Sequence, residues 1–186
     1  MRFAKNDKSR ASREAGFSLI EVLISMFVLT IGLLSLLGVL GLAVSASMSS
    51  EEDGIAKEMA QDAYESIYTA RDTANVQWSG IDNVSGAGPG IFLTGLQPIY
   101  KSGVDGIIGT ADDSAAGNQT LTLPGPDGIS GTADDITVPL TNFRRQIAIV
   151  DTATNLKTVT VTVQYTTPRS RLAKQYVLSG FISQYR

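Results

Sequence analysis

Gly16-Phe17-Ser18-Leu19-Ile20-Glu21-Val22-Leu23 opens an apolar run that continues to Val44. Glu21 is the one charge inside it, and no other follows until Glu51. An ionised group within a segment fit to cross a bilayer is costly and usually functional. Phe17 to Val44 would make about 42 Å of helix, and a span needs only about 20 residues. The run exceeds the roughly 7–15 residues of a signal-peptide core, and no Ala-x-Ala-like junction follows it closely. Ahead of it, residues 1–16 form a basic leader, with Arg2, Lys5, Lys8, Arg10 and Arg13 against Asp7 and Glu14. That leader carries +3 and the remainder of the chain −6. Basic residues before the apolar run and acidic residues after it predict a cytoplasmic N-terminus and an external C-terminal domain.

Composition narrows the chemistry. With neither Cys nor His among its 186 residues, the chain has no disulfide, no thiolate and no imidazole. The commonest general base is therefore missing. No Gly-x-Ser-x-Gly and no phosphate loop occurs, so the chain does not read as an enzyme. Any metal site must use oxygen ligands, which points to hard cations. An acidic domain is a poor binder of nucleic acid. Its Arg144, Arg145, Arg169 and Arg171 are explained as well by strand-edge charge as by a DNA-uptake role.

The order Gly16-Phe17-Ser18-Leu19-Ile20-Glu21 resembles the cleavage and methylation motif of type IV prepilins and pseudopilins. The continuation through Ile24 and Val28-Leu29-Thr30-Ile31-Gly32-Leu33-Leu34 looks most like PilV-type minor pilins. The resemblance covers about 30 residues. It implies cleavage between Gly16 and Phe17 by a prepilin peptidase/methyltransferase, N-methylation at Phe17, and storage in inner-membrane lipid before assembly with other pilins. Ser18 stands where Thr is common, and no Pro interrupts the helix. Glu21 then gains a partner. A carboxylate in apolar surroundings is destabilised unless paired, and the new amine of a neighbour's Phe17 would pair it and fix axial register. The implied function is a minor pilin of a type IV pilus, localised to the bacterial inner membrane and then the filament. The alternative is a pseudopilin of a type II secretion system.

Beyond Val44 the helical spacing persists, with Ile55, Met59, Ala63 and Ile67 on one face and Glu51, Glu58, Asp62, Glu65 and Asp72 on another. Residues 45–72 are thus an amphipathic continuation, to about Arg71, with a solvated acidic face. Residues 73–143 read as loop-rich, with Trp78 and Ile91-Phe92-Leu93 as packing anchors and Gly86, Gly88, Pro89 and Gly90 as turns. Residues 144–186 read as an antiparallel meander. Its strands are Arg144–Asp151, Lys157–Tyr165 with Val159, Val161, Val163 and Tyr165 on one face, and Gln175–Ser183 with Tyr176, Leu178, Gly180 and Ile182 in step. Turns fall near Thr154-Asn155 and over Pro168 to Arg171. The expected fold class is α+β, a long helix covering the apolar face of the sheet, as the pilin resemblance also implies.

One segment occurs twice. Gly103-Val104-Asp105-Gly106-Ile107-Ile108-Gly109-Thr110-Ala111-Asp112-Asp113 returns as Gly125-Pro126-Asp127-Gly128-Ile129-Ser130-Gly131-Thr132-Ala133-Asp134-Asp135, with nine of eleven positions identical. No basic residue lies between Lys101 and Arg144. Asp105, Asp112, Asp113, Asp127, Asp134 and Asp135 are therefore candidate Ca2+ ligands, together with Gly carbonyls. The segment resembles Asp/Gly-rich calcium loops of bacterial surface proteins, though it lacks the order of an EF-hand. Gly-rich hairpin tips with Asp for turn chemistry are the other reading.

Overall fold

The computed structural model describes residues 16–85, 88–167 and 172–185. The leader to residue 15, Gly86 and the expected turn at Pro168–Arg171 lie outside the described residues. The chain divides into two compact units, one ending at Val44 and one beginning at Ser45.

Helix α1 is Leu19–Asp72. In the first unit its side chains are exposed almost throughout, and the helix is long and apolar enough to cross a membrane. Its few hydroxyls bond back one turn: Ser25 to the Glu21 carbonyl, Thr30 to Met26 and Ser35 to Ile31, at 2.7, 2.7 and 2.9 Å. Such back-bonding satisfies a polar group without a partner from outside the helix. The helix continues through Gly32, Gly38 and Gly41.

In the second unit the helix becomes one layer of a two-layer domain. Ala56, Met59, Ala60, Ala63, Ile67 and Ala70 are buried. Alanine at four of these positions lets the helix lie close to the sheet. Among the described residues that sheet has four strands, in the order β1–β4–β5–β6, all antiparallel. Strand β1 is Gln97–Pro98, β4 is Phe143–Ala153, β5 is Leu156–Thr166 and β6 is Ala173–Ser183. The inward residues alternate as the sequence predicts: Ile147 and Ile149 on β4, Val159, Val161, Val163 and Tyr165 on β5, Ile182 on β6. Phe143 and Tyr165 stack with ring centroids 5.4 Å apart. Gly180 lies on the inward face by strand alternation, and Tyr64 of α1 crosses it so closely that an added Cβ would lie 2.4 Å from the hydroxyl. The meander is thus the expected one, extended at one edge by β1.

The stretch read as loop-rich contains more order than its composition suggests. A single 3-10 turn at Trp78–Gly80 precedes Asn83, whose side chain behaves as a short piece of strand. Its Nδ2 donates to the Ile147 carbonyl at 2.8 Å, and its Oδ1 accepts from the Ile149 amide at 2.7 Å. These bonds cover the edge of β4 beyond the end of β1. A short helix α2, Asp113–Ala116, follows the first repeat. Strands β2, Thr120–Leu123, and β3, Ile136–Pro139, make an antiparallel hairpin whose connection is the second repeat. Phe92 is fully buried, as its role of packing anchor requires.

Charges are built into this core. Lys157 points inward from β5 and meets Asp151 at 2.6 Å and Asp82 at 3.4 Å, with the Trp78 ring 5.4 Å away. Arg71, in the last turn of α1, donates to the carbonyls of Ser183 and Tyr185 at 2.9 and 3.0 Å. It also pairs with Asp72 at 2.8 Å, so it ties the end of the helix to the end of β6.

Candidate functional site

Two places carry the sequence-derived site residues. The first is the start of α1. Gly16 and Phe17 precede the helix and are exposed, Phe17 to 82%. A Cβ at Gly16 would meet nothing within 4 Å. The Ser18 carbonyl accepts the first turn, from the amides of Glu21 at 3.0 Å and Val22 at 3.2 Å. Glu21 thereby sits in the first turn, where a carboxylate complements the unpaired amides and the positive end of the helix dipole. It is exposed like the residues around it. One turn on, Phe17, Val22, Ser25, Met26 and Leu29 line an open apolar groove of about 380 Å3. The Gly16–Phe17 peptide therefore lies just ahead of α1 and about one turn from Glu21, the one carboxylate in the apolar half of that helix.

The second place is the repeated segment, and both copies fold alike. Gly106 and Gly128 take φ of 71° and 70°, Gly109 and Gly131 take 98° and 89°. Only glycine adopts such angles freely. In the first copy the Asp105 carboxylate accepts the Ile107 amide at 2.8 Å, Asp113 accepts the Gly109 amide at 2.6 Å, and Asp112 accepts the Thr110 hydroxyl at 2.6 Å. In the second, Asp127 accepts from Ile129 at 2.8 Å, Asp135 from Gly131 at 2.6 Å, and Asp134 from the Thr132 hydroxyl at 2.6 Å. The threonine hydroxyls hold Asp112 and Asp134 below the ordinary carboxylate value.

The copies differ in what surrounds them. The first is seated between α1 and β4. Ile107 is 4% exposed, Ile108 donates its amide to the Ser66 hydroxyl at 2.9 Å, and Asp113 takes a second amide, from Gly103, at 2.8 Å. Beneath it lies Arg145, buried and inward-facing rather than the strand-edge charge its sequence context suggests. Arg145 donates to the Met59 carbonyl at 3.5 Å and lines, with Asp113, Thr110 and Tyr100, a cavity of about 20 Å3. Burial pulls its guanidinium down to about 10, against the charges of Asp113 and Asp62. Burial pushes the Asp113 carboxyl up, offset in part by the Gly109 and Gly103 amides and by Arg145. The second copy has none of this. Ile129 is 61% exposed, and a Cβ at Gly131 would meet nothing.

The six aspartates thus divide three and three. Among the described residues no group of three or more carboxylates gathers closely enough to hold a metal ion. Each loop uses its carboxylates on its own amides and hydroxyls, and a cation would have to compete with those bonds. Sequence reasoning missed Arg145, Asn83 and Lys157. Arg145 and Lys157 interrupt the apolar periodicity of their strands, and that interruption is the signal available for them.

Comparison with known families places one part of the chain. The family model described as prokaryotic N-terminal methylation motif matches residues 11–37. The chain carries the prepilin signal of type IV pilin-like proteins. The match spans the Gly16–Phe17 junction, Glu21 and the apolar half of α1, and it implies processing by prepilin peptidase and assembly with other pilins. With the apolar helix it fits a membrane-anchored, pilin-like protein. Curated proteins and solved structures gave no match.

Proposed function

We propose that this protein is a minor pilin, a subunit that primes, caps or modifies a type IV pilus after its leader is removed between Gly16 and Phe17. The observation that carries the reading is Glu21: one carboxylate in the first turn of α1, whose apolar half is otherwise uncharged, four residues beyond the Phe17 that would bear the new amine. In a bundle of such helices the unpaired charge costs several kcal/mol, and the pair with a neighbour's Phe17 amine offsets it. That difference drives docking and sets register. Residues 17–44 would be the membrane store and later the filament core, 45–72 the amphipathic connection to the external domain.

Deleting the gene and scoring surface pili against protein export tests the assignment. Loss of pili with export intact supports it. Loss of export with pili intact moves the protein to a type II secretion pseudopilus. Glu21→Ala should leave a processed, membrane-bound chain that enters filaments at least about tenfold less well; incorporation at the wild-type level would remove the role of Glu21. On charge alone, a Ca2+ role for the aspartates of the repeats is also proposed. Heat and a raised Tm on titrating the full chain in detergent with Ca2+ would support it, and a flat trace would remove it.

A further inference from the structure

The two copies of the repeat share sequence, backbone angles and internal hydrogen bonds, yet one is docked on protein and the other is not. The docked copy displays the surface this loop fits: an arginine under its last aspartate and an apolar seat under its first isoleucine. The exposed copy, Gly125–Asp135, offers the same side chains, Ile129 and Asp135, with Ile136 and Val138 of β3 exposed beside it. Among the described residues no Lys or Arg pairs with Asp127, Asp134 or Asp135.

The chain presents a second surface of that chemistry. Arg144 precedes Arg145 on β4, and neighbours on a strand face opposite ways. Arg145 faces the seated loop, while Arg144 faces outward and forms no ion pair among the described residues. Across the outer face the register runs Arg144, Gln164, Gln175, then Thr162 beside Val177 and Thr158 beside Phe181. Val177 and Phe181 are exposed there. From Arg144 to Val150, and along β5 and β6 between these residues, Arg144 is the one charged outward position. The outer face is therefore positive and partly apolar, and the hairpin loop is negative with an apolar tip.

We propose that the Gly125–Asp135 loop of one copy docks on the outer β4–β5–β6 face of a second copy. Asp135 and its neighbours face Arg144, and Ile129 covers Val177, two residues further along the sheet. The contact joins two different surfaces, so each copy keeps a free loop and a free face through which it can propagate head-to-tail. It deepens the filament reading but is measured without filaments, so a failure of one is distinguishable from a failure of the other.

The absence of cysteine makes the test direct. Full-length Ile129→Cys and Val177→Cys chains are purified in detergent, mixed and oxidised, and a chain with both substitutions is oxidised alone. The mixture should give a disulfide dimer and the double variant a ladder. Arg144→Glu should lower the yield at least about fivefold by placing like charges together, with melting and far-UV dichroism unchanged, while Arg144→Lys retains most of it. Monomer alone with both thiols accessible to a maleimide would overturn the proposal. So would an Ile129→Cys homodimer as abundant as the mixed dimer, or a yield indifferent to Arg144→Glu. Cysteine at 129 joined in cells only to a different protein would also overturn the choice of a second copy.

Discussion

Gly109 and Gly131 hold the same place in the two repeats and take nearly the same φ, but they do not face the same surroundings. A Cβ at Gly109 would fall 2.4 Å from Cδ1 of Ile147, and one at Gly131 would meet nothing. Gly131→Ala should therefore cost only the backbone strain, about 1–2 kcal/mol. Gly109→Ala adds overpacking of about 1–3 kcal/mol. Urea denaturation of the two variants checks the order. At Tyr165 the hydroxyl donates to Asp53 and, with Lys174, holds that carboxyl below the ordinary carboxylate value. A lowered carboxylate contributes stability above its unfolded value and loses it as pH falls through the folded one. Tyr165→Phe should cost about 1 kcal/mol at neutral pH, a charged hydrogen bond discounted because Asp53 is half exposed. It should also flatten the loss of stability below about pH 4. Melting curves across that range read both effects.

At the scale of elements, the seated and exposed loops separate what a local sequence specifies from what its neighbours add. Ile107→Ala should destabilise by about 2–4 kcal/mol, because it empties a buried seat against α1 and β4. Ile129→Ala should stay within about 0.5 kcal/mol, as surface substitutions do. Equal effects on Tm would mean that the second loop is also packed. The same comparison shows how far the sequence reached. Local hydrogen bonds make the Asp-Gly segment fold alike twice, and the Asp-Gly turn chemistry was visible in it. Which copy is buried depends on Ser66, Arg145 and Ile147, all distant in the chain. The strands of the meander were legible to within about two residues, since each alternates over a long run. β2 and β3 were not, since four residues bounded by Gly, Pro and Asp carry too little periodicity to separate from loop.

For the whole molecule, the physical chemistry divides at Val44. Below it the helix keeps its apolar surface exposed and bonds its own polar groups, as a segment destined for lipid or other helices must. Above it the same helix buries an alanine-rich stripe under a sheet. A change that blocks the junction, such as Gly16→Val, should leave a membrane-bound chain heavier by the leader; mass spectrometry of the membrane fraction checks it. The contiguous motif from Gly16 to Glu21, the length of the apolar run and the periodicities of helix and strand were determined by sequence alone, because each is a relation between near neighbours. The inward turn of Arg145 and Lys157, the strand-like role of Asn83, the addition of β1 and the unequal burial of the repeats were decided only by tertiary structure. Each is a charge or backbone group taken from water, and its cost is met by partners that only the folded chain brings within reach.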